Sequence, residues 1–167
     1  RARAVTVDRV DLDLDLDRGD QHFCSRTRLH FTAHEKATFV DLRPVSLERI
    51  TLDGAPLDPA SLDDGRFPLI GLAPGPHVLE VVATMAYSQD GQGLHRSVDP
   101  ADAQTYVYGH MFLDAAPTVF ACFDQPDLKA PYAVSVTAPE HWTVLGNGTA
   151  RHTTQGRWEL ATTPPLA

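Results

Sequence analysis

Residues able to do chemistry are present in this chain, but few stand at spacings that would let them act together. His34-Glu35 opens like the helical zinc signature, in which two histidines four positions apart hold the metal and the intervening glutamate acts as base. Position 38 is Thr38, and the pair falls at a predicted hairpin, so both the ligand set and the geometry fail. The remaining histidines, His22, His30, His77, His95, His110, His141 and His152, have no His, Cys or Glu partner at ligand spacing on a common helix. Gly91-Gln92-Gly93 lacks the third glycine and the strand-loop-helix setting of a phosphate loop. There is no Gly-x-Ser-x-Gly elbow, and nothing singles out Ser88, Ser97 or Ser135 as a nucleophile. Asp124-Gln125-Pro126-Asp127 pairs two carboxylates that could do acid and base work, which keeps an independent hydrolase as a distant reading. Asp and Gln beside Pro also tie down loops through side-chain to backbone bonds, and Phe120 and Phe123 would anchor such a loop in a core. Scaffolding is the expected role. The ladder Asp11, Asp13, Asp15, Asp17 invites a calcium reading. Side chains on one strand face stand nearly 7 Å apart, however, whereas calcium needs about six to eight converging oxygens. A solvated face is expected instead.

The elements that must position these residues read as β-strands. Residues 5–16 alternate, with Leu12, Leu14 and Leu16 on one face and the aspartates on the other. Arg18-Gly19-Asp20 is a turn, and residues 23–31 form a returning antiparallel strand that needs a bulge to orient Arg26 and Arg28. Further strands are predicted at 37–42, 45–52, 65–69, 77–87, 133–137, 142–149 and 157–162, separated by Asp53-Gly54, Pro59, Asp64-Gly65 and Pro74-Gly75-Pro76. The fold expected is all-β: an antiparallel sandwich or saddle-like domain, with at most one short helical turn near 114–119. Residues 88–130 show little strand pattern and many Gly, Pro, Asp and aromatic residues, the mark of a long irregular central loop with a functional or interfacial task.

A length of 167 residues fits one domain spanning 1–167. Such a domain buries roughly two thirds of its unfolded surface and folds without a metal or disulfide staple. With 14 Lys and Arg against 22 Asp and Glu, the net charge of -8 argues against nucleic acid and anionic membrane as partners. Cys24 and Cys122 lack metal or redox spacing and are expected to be buried apolar thiols. No run of about eighteen apolar residues could span a bilayer and no secretory leader opens the sequence, so cytoplasmic residence is expected, with secretion after removal of a leader as the alternative.

The stretch from Tyr106-Val107-Tyr108-Gly109-His110-Met111-Phe112 through Phe120-Ala121-Cys122-Phe123-Asp124-Gln125-Pro126-Asp127-Leu128-Lys129-Ala130 resembles a signature of the aminopeptidase N group of zinc metallopeptidases. Two flanking segments are similar as well: Gly93-Leu94-His95-Arg96 with Asp99, and Ala138-Pro139 with Trp142 and Asn147-Gly148. The resemblance implies an amino-terminal β domain that packs on a separate catalytic domain. Zinc, its His-Glu-x-x-His ligands and the Gly-Ala-Met-Glu-Asn loop would come from that domain, so this chain is expected to hold no cofactor itself.

The family motif Tyr-Thr-Gln-Phe-Glu lines the first specificity pocket and helps bind the substrate's free amine. Counted back from Phe120 and Cys122 without gaps, its Gln falls on His110 and its Glu on Phe112, with Met111 between. The Asp-Ala-Arg-Arg that follows is replaced by Ala115-Ala116-Pro117-Thr118. A carboxylate binds ammonium by charge-assisted hydrogen bonds, whereas Phe offers at most a weaker cation-π contact. Three consequences stay open: a different substrate preference, reliance on carboxylates of the catalytic domain, or loss of peptidase activity. His110, Met111 and Phe112 are the expected substrate-binding residues, and the expected partners are the parent's catalytic domain and a peptide amino terminus. The alternative is a standalone β-sandwich module whose central loop binds protein or carbohydrate.

Overall fold

The computed structural model describes residues 1–112 and 114–167. In chain order it contains β1 (Val5–Asp15), β2 (His22–Ala33), β3 (Ala37–Asp41), β4 (Ser46–Leu52) and β5 (Ala55–Pro56), then a 3-10 turn (Pro59–Ser61) and β6 (Arg66–Ile70). There follow β7 (Gly75–Ala86), β8 (Gly93–Val98), β9 (Thr105–His110), a second 3-10 turn (Ala116–Thr118), β10 (Tyr132–Thr137), β11 (Ala150–Thr154) and β12 (Arg157–Leu160). The all-β expectation holds, and the turn expected near 114–119 is joined by one at Pro59–Ser61, where Asp58 caps the Ala60 N–H. An eight-stranded sheet runs in the order β11-β12-β10-β1-β2-β7-β4-β5, and two-stranded ribbons pair β3 with β6 and β8 with β9. Pairing is antiparallel except for β1 and β10, which lie parallel and give the sheet its mixed character.

Alternation in β1 explains its pairing. Val5 and Val7 point inward, Asp8 and Arg9 are both exposed, and Val10, Leu12 and Leu14 point inward again. The apolar phase skips one residue, and so does the register: Val7 faces Phe31 while Arg9 faces His30. A bulge at Asp8 thereby keeps every apolar side chain of the strand on the core face. The bulge expected on the returning strand lies on its partner instead, since β2 runs unbroken against β7 from His22↔Ala86 to Ala33↔Gly75. Phe23, Leu29 and Phe31 of β2 and Leu79, Val81 and Met85 of β7 share one buried core with Val40, Phe67 and Leu69 of the β3–β6 ribbon. His34 and Glu35 therefore do not turn a hairpin within one sheet; they carry the chain from the large sheet to the ribbon.

Three other expectations are corrected. Residues 142–149 are not a strand: the Trp142 N–H bonds the Pro139 carbonyl, and a side chain at Gly148 would overlap the Ala161 carbonyl. The polar segment Ala150–Thr154 forms the edge strand instead. The aspartate face is ion-paired rather than merely solvated, with Arg157 on Asp13 at 2.7 Å and Arg18 on Asp15 at 2.6 Å, and Asp11 bonds the His30 ring at 2.8 Å. Of these groups Asp11, Asp13 and Arg157, with Arg26, Arg28 and Glu80, line an open groove of about 460 Å³ on the sheet. Cys122 is buried as expected, whereas Cys24 is only half-buried.

Candidate functional site

Residues 88–130 are less irregular than their composition suggests, because β8 and β9 form a hairpin within them. Its inward side carries Leu94, which is buried, and Val107, which is half-buried against the core. Register places His95 opposite Tyr108 and Gly93 opposite His110, so Tyr106, Tyr108 and His110 follow one another on the other side. The hairpin is strapped back onto the domain by two bonds between Ser88 and the backbone of Leu94 and Arg96. The Arg96 guanidinium pairs with Asp20 in the β1–β2 turn. Gly93 has φ +63°, and a Cβ there would come within 2.5 Å of Thr118 Oγ1, which lets β8 rest directly on the second 3-10 turn.

Two histidine rings converge on one residue, Gly91. The Gly91 N–H donates to His95 Nδ1 at 3.1 Å, which puts the His95 proton on Nε2. The Gly91 carbonyl accepts from His110 Nδ1 at 3.3 Å, so that in a neutral ring Nε2 is the acceptor. His95 also packs on Tyr108 with ring centroids 4.9 Å apart. His110 lies nearly parallel to Phe112, with centroids 6.0 Å apart and planes 10° from parallel. Phe112 is 63% exposed and Met111 38%, and Tyr106 and Tyr108 are each about half exposed. The hydroxyl of Tyr106 donates to Asp102 at 2.7 Å, which pushes the phenol up and, together with the Gln104 N–H, holds the carboxyl down.

The segment after the hairpin is held without the two arginines of the family motif. Arg43 pairs with Asp114 at 3.0 Å, lowering its carboxyl, and the Arg43 N–H bonds the Pro117 carbonyl at 2.7 Å. Pro117 is the second residue of the 3-10 turn, and the Thr118 hydroxyl donates to the Ala115 carbonyl at 2.7 Å. Cys122 and Asp41 exchange two backbone bonds, and Phe123 packs edge-on against Phe31 with centroids 5.3 Å apart. The Asp124 N–H donates to the Asp41 carboxylate at 3.1 Å, while Asp127 accepts from the Gln125 amide at 2.7 Å. Asp127 thus spends its carboxylate on the loop, whereas Asp124 is tied down by its backbone, the N–H to Asp41 and the carbonyl to Arg1. Burial and the neighbouring Asp41 push the Asp124 carboxyl up.

The structure brings His110, Met111 and Phe112 together at one exposed end of the hairpin. Reading the sequence missed His95 and Gly91, which fix the His110 ring; the period-two run of Tyr106, Tyr108 and His110 was the signal that could have revealed the strand. Among the described residues no group of three or more His, Cys, Asp or Glu could hold a metal ion. His34 in particular bonds the Thr6 hydroxyl at 2.8 Å, so the residues of the apparent zinc motif do not fit that metal.

The family described as the peptidase M1 N-terminal domain matches residues 71–164. An aminopeptidase N from Streptomyces lividans is 41% identical over 172 residues, an alignment that covers all of this chain and 20% of that protein. Two probable M1 family aminopeptidases, 1 and 2, from Encephalitozoon cuniculi (strain GB-M1) are each 36% identical over 76 residues, covering 46% of this chain and 8% of theirs. The chain therefore spans about a fifth of the length of its Streptomyces relative.

Proposed function

The chain belongs to the peptidase M1 N-terminal domain family, and from that premise we propose that it is the amino-terminal β domain of a zinc aminopeptidase-like protein. In that protein it walls one side of the substrate cleft and lines the pocket for the substrate's amino terminus with His110, Met111 and Phe112. The observation that carries this reading is the end of the β8–β9 hairpin. A domain belonging to a larger enzyme should leave apolar surface where its neighbour packs. Tyr106 and Tyr108 are exposed along the hairpin's outer side and Met111 and Phe112 at its open end, whereas Phe120 and Phe123 of the following loop are buried in the domain's own core.

The pocket wall would be aromatic rather than anionic. His110 offers Nε2 to peptide N–H groups, and Phe112 offers a ring face to the first side chain or, weakly, to the ammonium. Most of the charge recognition of the amine then falls to carboxylates of the catalytic domain, which would also carry the zinc and the hydrolysis.

The test is Phe112→Glu in the full-length protein. The substitution is expected to lower KM for peptides with a free amino terminus by about tenfold, equivalent to ~1.4 kcal/mol, within the range of one charge-assisted hydrogen bond. Amino-terminally blocked peptides should be unaffected. Equal effects on both substrate types, or no effect on either, would count against the assigned role.

A further inference from the structure

Away from the hairpin, one histidine has a bonding pattern that only its charged form can satisfy. His77 Nδ1 lies 2.6 Å from Asp53 Oδ2, and its Nε2 lies 2.7 Å from the Ala73 carbonyl oxygen. A carboxylate and a carbonyl can only accept, so both ring nitrogens must carry hydrogen and the ring is an imidazolium. Its side chain is only 9% exposed. The ring stacks on the fully buried Phe31, with centroids 5.5 Å apart, and Phe31 in turn meets Phe123. Asp53 and Gly54, at φ 52° and 81°, make the two-residue turn that joins β4 to β5. Two further bonds of 2.8 Å tie that turn to β7, from the Val78 N–H to Asp53 Oδ1 and from the Asp53 N–H to the Val78 carbonyl.

We propose that His77 is a pH-sensitive clip: its imidazolium holds the Asp53 turn and residues 73–76 onto the core, and loss of one proton lets that corner open. A neutral imidazole has a single N–H and must abandon either the carboxylate or the carbonyl. The carboxylate bond is charge-assisted, so the Ala73 carbonyl is the one released. Facing the ring are Asp53 from the β4–β5 turn, Phe31 from β2 and the Ala73 carbonyl from the preceding segment; Asp53 is the charged group that acts on it. The Ala73 bond foremost, and then Asp53, raise the proton affinity of His77 against the opposing effect of burial. Desolvation likewise opposes the lowering of Asp53, but the Val78 N–H and His77 outweigh it. With the folded value above the ordinary histidine range of about 6.5, the clip is fully closed below that range and weakens as pH rises through the raised value.

Hydrogen exchange of the full-length protein, read by mass spectrometry on peptides covering 50–58 and 71–79 between pH 5.5 and 9.5, tests the clip. Rates are divided by the intrinsic rate at each pH. Protection of these peptides is expected to fall at least about tenfold with rising pH while peptides from the centres of β2 and β7 stay protected. His77→Gln should show the low protection at every pH. His77→Phe, which keeps a ring against Phe31, serves the same purpose if the glutamine variant does not fold. Flat protection in the wild type, or a variant that follows the wild-type pH dependence, would overturn the proposal.

Discussion

At the residue scale, the most consequential side chain outside the hairpin is Asp41. Its carboxylate is 13% exposed, pairs with Arg1 and accepts from the Asp124 N–H. Replacing it by Ala would leave a guanidinium and an amide without their partner, and is expected to cost about 2–4 kcal/mol in urea unfolding. Asp124 should respond in the opposite sense. Its carboxyl is pushed up by burial and then by Asp41, so the folded state favours the protonated form. Stability from this group is complete at low pH and declines as pH rises through the folded value. Asp124→Asn should therefore raise the melting temperature at pH 7, with the difference vanishing below about pH 3.5, under the ordinary Asp value. The positions of His110 and Phe112 were legible because they can be counted back from Phe120 and Cys122. The peptide that orients His110 was not, since Gly91 lies nineteen residues away along the chain and meets it only through the hairpin.

At the element scale, legibility followed burial. Strands with one face in the core, such as β2 and β7, were readable because that face imposes period two. β8 and β9 were hidden because they bury little beyond Leu94 and Val107 and present aromatic and polar residues outward. β11 was hidden for a similar reason: it is a polar edge whose place in the sheet is set by pairing with β12. The parallel match of β1 with β10 depends on long-range topology, which local pattern does not record. The hairpin's seat makes its own prediction. Gly93→Ala combines a positive φ with a Cβ pressed on Thr118. It should destabilise the domain by about 1–3 kcal/mol in urea unfolding and loosen the hairpin selectively in hydrogen exchange. A loss below ~0.5 kcal/mol would mean that the hairpin does not rest on the 3-10 turn as described.

At the scale of the whole molecule, the chain is a sheet-based scaffold that carries one aromatic projection, and it covers a fifth of its Streptomyces relative. A net charge of -8 would keep such a domain soluble, yet the hairpin and the two residues after it leave four large side chains, Tyr106, Tyr108, Met111 and Phe112, exposed to water. That combination makes sense when the projection faces a neighbouring domain and a shared cleft, with the sheet holding it from behind. The most direct test places a benzophenone side chain at Phe112 of the full-length protein and irradiates it with a peptide bearing a free amino terminus. A crosslink to the first residue of the peptide, suppressed by an excess of unlabelled peptide, is expected if Phe112 lines the pocket; no crosslink, or one that competition leaves unchanged, would rule that placement out.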